Sequence, residues 1–270
     1  MLRSLFTGVA GLRAHQQMLD ITSDNIANVN TAGFKSSAAV FETTLSQTLQ
    51  GAGGAGAANS GVGGTNPMQV GLGVKMAGTE MDMTQGNTEY TGRPSDLSIS
   101  GDGFFAVNSR GRQLLTRAGS FSLDAAGHLV TPDGSVLQSA NGGDLNLSAL
   151  QSGAYTSWSV APDGKVNATD ATGNVVTLDT VELATVANPA GLERVDGTNF
   201  AASANSGPVT AGSAGSGGLG TLTSGYLEQS NVDLSQQLTN LIIAERGFQA
   251  NSRVISTSDE VLQTLVNLKQ

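Results

Sequence analysis

Residues 230–270 read SNVDLSQQLTNLIIAERGFQANSRVISTSDEVLQTLVNLKQ, and this stretch decides the fold. It contains no proline, and its only glycine is Gly247. Leu241, Ala244, Phe248, Asn251, Ile255, Ser258, Leu262 and Leu265 recur at alternating intervals of three and four, which places them on one narrow stripe of a helix. The stripe is apolar except at Asn251 and Ser258, the pattern of a coiled-coil seam with two polar breaks. Ser230 and Asp233 read as a capping box, and Lys269 places a cation in the last turn. About 36 helical residues span roughly 54 Å. So long a helix with so narrow an apolar stripe needs a partner helix.

The N-terminus supplies one. Leu2, Leu5, Val9, Leu12, Gln16, Leu19, Ser23 and Ile26 repeat the same spacing, apolar except at Gln16 and Ser23. Taken singly, each segment also fits an ordinary amphipathic helix on a globular core. Matched seams at opposite ends of the chain favour helix-on-helix pairing, within one chain, between chains, or both. Gly33 and Asn30 end the first helix. Residues 34–49 read equally as helix or strand.

Between the ends the pattern changes. Residues 51–68 open with GAGGAGAANSGVGGT, a Gly/Ala linker or loop. From 69 to 200 short apolar runs (Leu97–Ile99, Phe104–Val107, Phe121–Leu123, His128–Val130, Val175–Leu178) alternate with the turn signals Asp102-Gly103, Asp133-Gly134, Asn141-Gly142-Gly143 and Asp163-Gly164. These are strands joined by tight turns. Residues 201–220 read as a second Gly/Ser linker. The expected fold is α+β: residues 1–50 and 221–270 form a discontinuous, coiled-coil-like terminal helical domain, and a mainly antiparallel β domain lies between the linkers.

Composition narrows the chemistry. The net charge of −9 argues against nucleic acid and against a basic membrane-surface patch. With no cysteine, disulfides and thiolate metal sites are excluded. No run is long and apolar enough for a membrane span. The LFTGVAGL stretch after Ser4 is too short and broken for a cleaved signal peptide. His15 and His128 lack metal-ligand spacing; His15 reads as a solvated or interface residue. Glu80 and Asp82 lack the rest of a calcium loop. Glu228, Asp233 and Glu245 read as solvated faces or subunit contacts. No catalytic, cofactor-binding or metal site is expected.

Residues 23–37, SDNIANVNTAGFKSS, resemble the N-terminal signature of the bacterial flagellar rod and hook family, with Asn25, Ile26, Ala27, Asn28, Thr31, Gly33, Phe34 and Lys35 in its pattern. TGRPSDLSISGDGFFAV (91–107), LTRAGSFSLDAAGHLVTPDG (115–134) and residues 225–269 resemble three further blocks of the family, in the family's order. The resemblance implies an axial subunit exported through the flagellar apparatus without a cleaved signal. Its terminal helices would line a hollow tube and its β domain would face outward. Partners implied are the chain itself as a helical homopolymer, rod and hook–filament junction proteins, the hook cap and the export apparatus. The assembly seam would comprise Leu2, Leu5, Val9, Leu12, Leu19, Ile26, Leu241, Ala244, Phe248, Ile255, Leu262 and Leu265. Both ends of the sequence look most like hook subunits of the short form, which implies a curved tube acting as a universal joint. The alternative within the family is a distal rod subunit, a straight drive shaft; the chain length is similar to both, and an insertion like the Gly-rich one at 51–65 is found in rod subunits and in some hook subunits. A non-flagellar adhesin with a helical stalk is the reading outside the family.

Overall fold

A computed structural model describes residues 2–54, 63–153 and 155–268. The chain forms two compact units, one of residues 1–26, 37–80 and 234–270, the other of residues 27–36 and 81–233. The fold is α+β.

In the first unit, α1 spans Leu2–Ala27 and α2 spans Leu234–Asn267. They run antiparallel: Ser4 meets Ser258 at 3.4 Å, and Asn25 Nδ2 donates to Gln237 Oε1 at 3.3 Å. Beside them, strand Ser37–Thr43 pairs with Val74–Met81 and Ser46–Gln50 with Met68–Gly71. A bridge between Gly53 and Thr65 extends the second ladder. The ambiguous stretch 34–49 is therefore extended in the structure. Thr44 supplies the link, donating both its N–H (2.9 Å) and its hydroxyl (3.0 Å) to the Gly73 carbonyl. The linker expected at 51–68 has described ends that pair, while residues 55–62, like Lys269 and the side chain of Leu2, lie outside the described residues.

In the second unit, strand Phe104–Ser109 is central. It pairs antiparallel with Arg112–Thr116 on one edge, and with Val136–Leu137 and Glu182–Thr185 on the other. Its run Phe-Phe-Ala-Val has no polar alternation because both faces are buried. Phe105 and Val107 join a core with Leu97, Ile99, Leu129, Leu183 and Leu222. Phe104 and Ala106 join a second core with Leu115, Leu192 and Phe200. Phe105 meets Phe121 edge-on at 5.2 Å, and Phe104 meets Phe200 at 6.2 Å. Strands Tyr155–Val160, Lys165–Asp170 and Val175–Thr180 form a meander whose first turn is the expected Asp163-Gly164, with Gly164 at φ 86°.

Three boundaries move. Residues 69–80 belong to the first unit, so this stretch of the β unit begins at Met81 and not at the expected 69. Residues 201–220 are not a linker: strand Thr210–Ser213 pairs with Glu182–Thr185, and Ala214 is buried. Short Gly/Ser-rich strands carry too little hydrophobic signal to be read in isolation. Residues 221–233 are not helical. Thr221–Ser224 pairs with Leu97–Ser100 and Tyr226–Glu228 with Thr88–Tyr90, so this stretch belongs to the β unit. Because α2 begins at Leu234, Asp233 stands immediately before it, and the Ser230 hydroxyl instead accepts from Val232 N–H at 3.2 Å. The expected capping box is not formed.

Candidate functional site

Two sets of residues stand out, one in each unit. The first is the face on which α1 and α2 meet. On α2 it follows the expected stripe: Ala244 is fully buried, while Asn251, Ile255 and Ser258 face α1. On α1 it does not. The face is made by Ser4, Gly8, Gly11 and His15, one position round from Leu5, Val9, Leu12 and Gln16. Gly8 lies under Ile255, Gly11 under Asn251, and Gly247 of α2 under the His15 ring. Glycine permits this approach. A Cβ on Gly11 would stand 2.6 Å from Asn251 Oδ1, inside any normal contact. Asn251 is held by its own bond, Nδ2 donating to the Gly247 carbonyl at 2.9 Å. His15 also lies 6.3 Å from Phe41, a packed and not a solvated histidine.

The apolar residues of the expected seam divide accordingly. Leu5, Leu12, Leu19, Ile26, Leu241, Ile255 and Leu262 are half-buried, whereas Val9, Phe248 and Leu265 are exposed, Phe248 at 37%. Leu238, Ile242, Ile243, Val254 and Val261 of α2 are exposed as well, Ile242 at 56%. The pair thus hides small and polar residues and leaves a broad apolar face outside. An exposed apolar face of this extent signals a partner.

Asn25 closes the lower part of this unit. Its side chain accepts from Ser37 N–H at 3.0 Å and donates to Ser37 C=O at 2.7 Å. It thereby does for Ser37 what a neighbouring strand would do, and it is fully buried.

The second set lies in the β unit and centres on Lys35. Lys35 and Glu228 are each 1% exposed. Lys35 Nζ donates to Glu228 Oε1 at 2.7 Å and to the Thr84 carbonyl at 2.7 Å. Glu228 Oε1 also accepts from Gly86 N–H at 3.0 Å, and Oε2 accepts from Arg117 Nη1 at 3.2 Å. Arg117 Nη2 donates to the Gly101 carbonyl at 2.9 Å, and its guanidinium lies 5.4 Å above the Phe104 ring. Burial lowers the Lys35 amine below the ordinary lysine value, against the raising pull of its bond to Glu228.

The backbone around these charges is tied as tightly. Gly33, at φ 71°, donates its N–H to the Glu228 carbonyl at 2.8 Å and runs close against Arg117 and Ala118. Thr31 closes the turn through its hydroxyl to Asn28 Oδ1 at 3.1 Å. Asn231 accepts from Ser36 N–H at 2.8 Å and donates to the Asp82 carbonyl at 2.9 Å. Arg194 donates to the Lys35 carbonyl at 2.8 Å and lies 4.6 Å above the Phe34 ring. This is a clamp of charges and main-chain bonds on the segment 27–36 that follows α1 and the segment 226–233 that precedes α2. Glu228, expected in a solvated face, is its buried centre. Arg117, Thr84 and Asn231 also serve it without having been marked in the sequence.

Comparison with known proteins follows the same geometry. The family model described as "Flagella basal body rod protein" matches residues 5–35, which include most of α1 and Lys35. "Flagellar hook protein FlgE/F/G D1 domain" matches 98–168, and "Flagellar basal body rod FlgEFG protein C-terminal" matches 223–268, which include Glu228 and α2. The chain is 44% identical over 271 residues to the flagellar basal-body rod protein FlgG of Bacillus subtilis, with both chains covered completely. It is 35% identical over 275 residues to FlgG of Borreliella burgdorferi, again with complete coverage. Against the flagellar hook protein FlgE of Borreliella burgdorferi, identity is 27% over an alignment of 444 residues.

Proposed function

The chain belongs to the bacterial flagellar rod and hook axial family, and from that premise we propose that it is a distal rod subunit, polymerising into a straight hollow shaft that carries torque outward. The end-to-end alignment with rod proteins of the same length carries this reading. The hook relative needs an alignment of 444 positions to accommodate this 270-residue chain, at lower identity. The rod reading replaces the hook and universal-joint expectation. The hook-cap and hook–filament junction partners that came with that expectation are not carried over. End-to-end kinship with rod proteins also leaves the adhesin reading without support.

The role is structural. The exposed apolar face of α2, with Val9 and Phe6 on α1, is the surface on which neighbouring copies pack. Each large side chain fully buried there contributes about 1.5–3 kcal/mol, repeated in every subunit. Close helix packing makes the tube wall, and the clamp holds the segments 27–36 and 226–233 firmly within the β unit. Export through the flagellar apparatus and contact with other rod subunits and the hook belong to the same reading.

Electron microscopy of polymers grown from the purified chain tests it. Straight, rigid tubes are expected. Tubes that curve and supercoil would return the chain to the hook class.

A further inference from the structure

The three charges of the clamp come from three separate lengths of chain. Lys35 lies in the segment after α1, Glu228 in the segment before α2, and Arg117 in the sheet core. Arg117 keeps its place without the other two, through the Gly101 carbonyl and the Phe104 ring. The exit segment also has its own anchors, since Tyr226–Glu228 pairs with Thr88–Tyr90 and Glu228 is held by Gly86 N–H and Arg117. Without Lys35, Glu228 is still a paired carboxylate.

The converse does not hold. Without Glu228, Lys35 would bring a second cation into a buried site beside Arg117, with only the Thr84 carbonyl to receive it. Asp82 is the one other charge that bears favourably on Lys35. An uncompensated buried charge is strongly unfavourable. Main-chain bonds divide: Gly33 N–H uses the Glu228 carbonyl and Ser36 N–H uses Asn231, both on the exit segment, while Arg194 donates to the Lys35 carbonyl and Asp82 N–H to the Ser36 carbonyl. The buried charges, and not these bonds, therefore set the order.

We propose that the clamp is an ordered latch: the exit segment 226–231 docks on the sheet first, and the entry segment 27–36 locks only onto a sheet that already carries it. The entry segment is then fixed only once the C-terminal part of the chain has arrived, whichever way the chain is delivered. The consequence is a completeness check. An unfinished chain keeps its entry segment 27–36 loose. This holds whether the assembled tube is rod or hook.

Segment-resolved amide hydrogen exchange on the full-length chain tests it, with Glu228→Gln, Lys35→Met and the double variant. In Glu228→Gln, protection of residues 33–36 should fall by roughly 100-fold while that of Phe104–Ser109 persists. In Lys35→Met, residues 226–231 should stay within about threefold of the parent chain. The double variant should regain at least about tenfold of the protection at 33–36 lost in Glu228→Gln, because one of the two buried cations is gone and Arg117 keeps the Gly101 carbonyl and the Phe104 ring. Equal loosening of 226–231 by Lys35→Met would overturn the order, as would unchanged protection of 33–36 in Glu228→Gln. Should Glu228→Gln unfold the whole unit, the double variant decides: refolding supports the latch, and persistent unfolding overturns it.

Discussion

Lys35 Nζ and Glu228 Oε1 stand 2.7 Å apart, although 193 positions separate the two residues in the chain. Arg117 reaches the same carboxylate from 111 positions away. Lys35 and Glu228 are each 1% exposed. The clamp therefore fixes where the chain enters and leaves the β unit, and its geometry is open to direct test.

Arg117 uses two arms of its guanidinium, one for Glu228 and one for the Gly101 carbonyl. A lysine has a single ammonium and cannot span both, so Arg117→Lys loses a charged hydrogen bond inside the core. The expected cost is about 1.5–3 kcal/mol. Trp158 is the only tryptophan and packs on the core of the same unit, so its fluorescence in a urea titration reads this unit specifically. An unchanged midpoint in Arg117→Lys would show that the second arm contributes nothing.

The helix face makes a finer prediction. At Gly11 an added methyl meets the amide of Asn251, which is itself bonded to Gly247 and cannot turn aside. At Gly8 the nearest atom is Ile255 Cγ1 at 3.2 Å, on a side chain able to yield. Gly11→Ala should destabilise the helix pair by about 1–3 kcal/mol through overpacking. Gly8→Ala should lie between neutral and about 1 kcal/mol stabilising, because alanine is the better helix former. Thermal melts followed by far-UV circular dichroism compare them, and equal effects would contradict the close crossing at Gly11.

These residues also show what the sequence could and could not disclose. Both helices are legible from the three–four spacing of Leu5, Val9, Leu241 and Ile255, and the FFAV strand from its apolar run. The face that α1 turns to α2 is not legible, because Gly8 and Gly11 do not score as apolar although their lack of a side chain sets the approach. Lys35 could be singled out only as part of a motif. Glu228 gave no signal, since an acid near a solvent-exposed helix looks solvated until its two cations arrive from elsewhere in the chain. The strands within 201–233 escaped for a related reason: Ala211 and Gly212 pair with Leu183 and Ala184, and the partner strand supplies the hydrophobicity that they lack.

Asp133 carries a pH dependence. Burial alone would raise its carboxyl, but bonds from Thr131, Asn199 (2.7 Å) and Ser135 (3.2 Å) outweigh that and hold it below the usual 3.8. A carboxyl with a depressed folded value stabilises fully above its unfolded value. That contribution fades as pH falls, because the unfolded chain takes up the proton first. The Trp158 urea midpoint of the parent chain should therefore drop below about pH 4 more steeply than that of Asp133→Asn. Parallel pH curves for the two proteins would mean that the Thr131–Asn199 bonds do not stabilise the ionised form.

The outer face of α2 separates folding from assembly. Ile242 is 56% exposed and so contributes little to the isolated subunit, whereas Phe248, at 37%, is already partly packed and offers only the remainder of its ring to a neighbour. In a tube of packed helices both become buried, and a carboxylate placed there loses water without gaining a partner. Ile242→Asp should leave the Trp158 unfolding midpoint within about 0.5 kcal/mol of the parent chain, as expected of a surface substitution. It should nevertheless abolish polymer growth, because an unpaired charge in a desolvated contact costs several kcal/mol in every subunit. Phe248→Ala should weaken polymerisation less severely, by about 3 kcal/mol or less per subunit contact. Sedimentation together with electron microscopy reads the polymer, and fluorescence reads the fold. Polymers of normal length from Ile242→Asp would place the subunit contacts on another surface and remove the apolar face of α2 from the proposed tube wall.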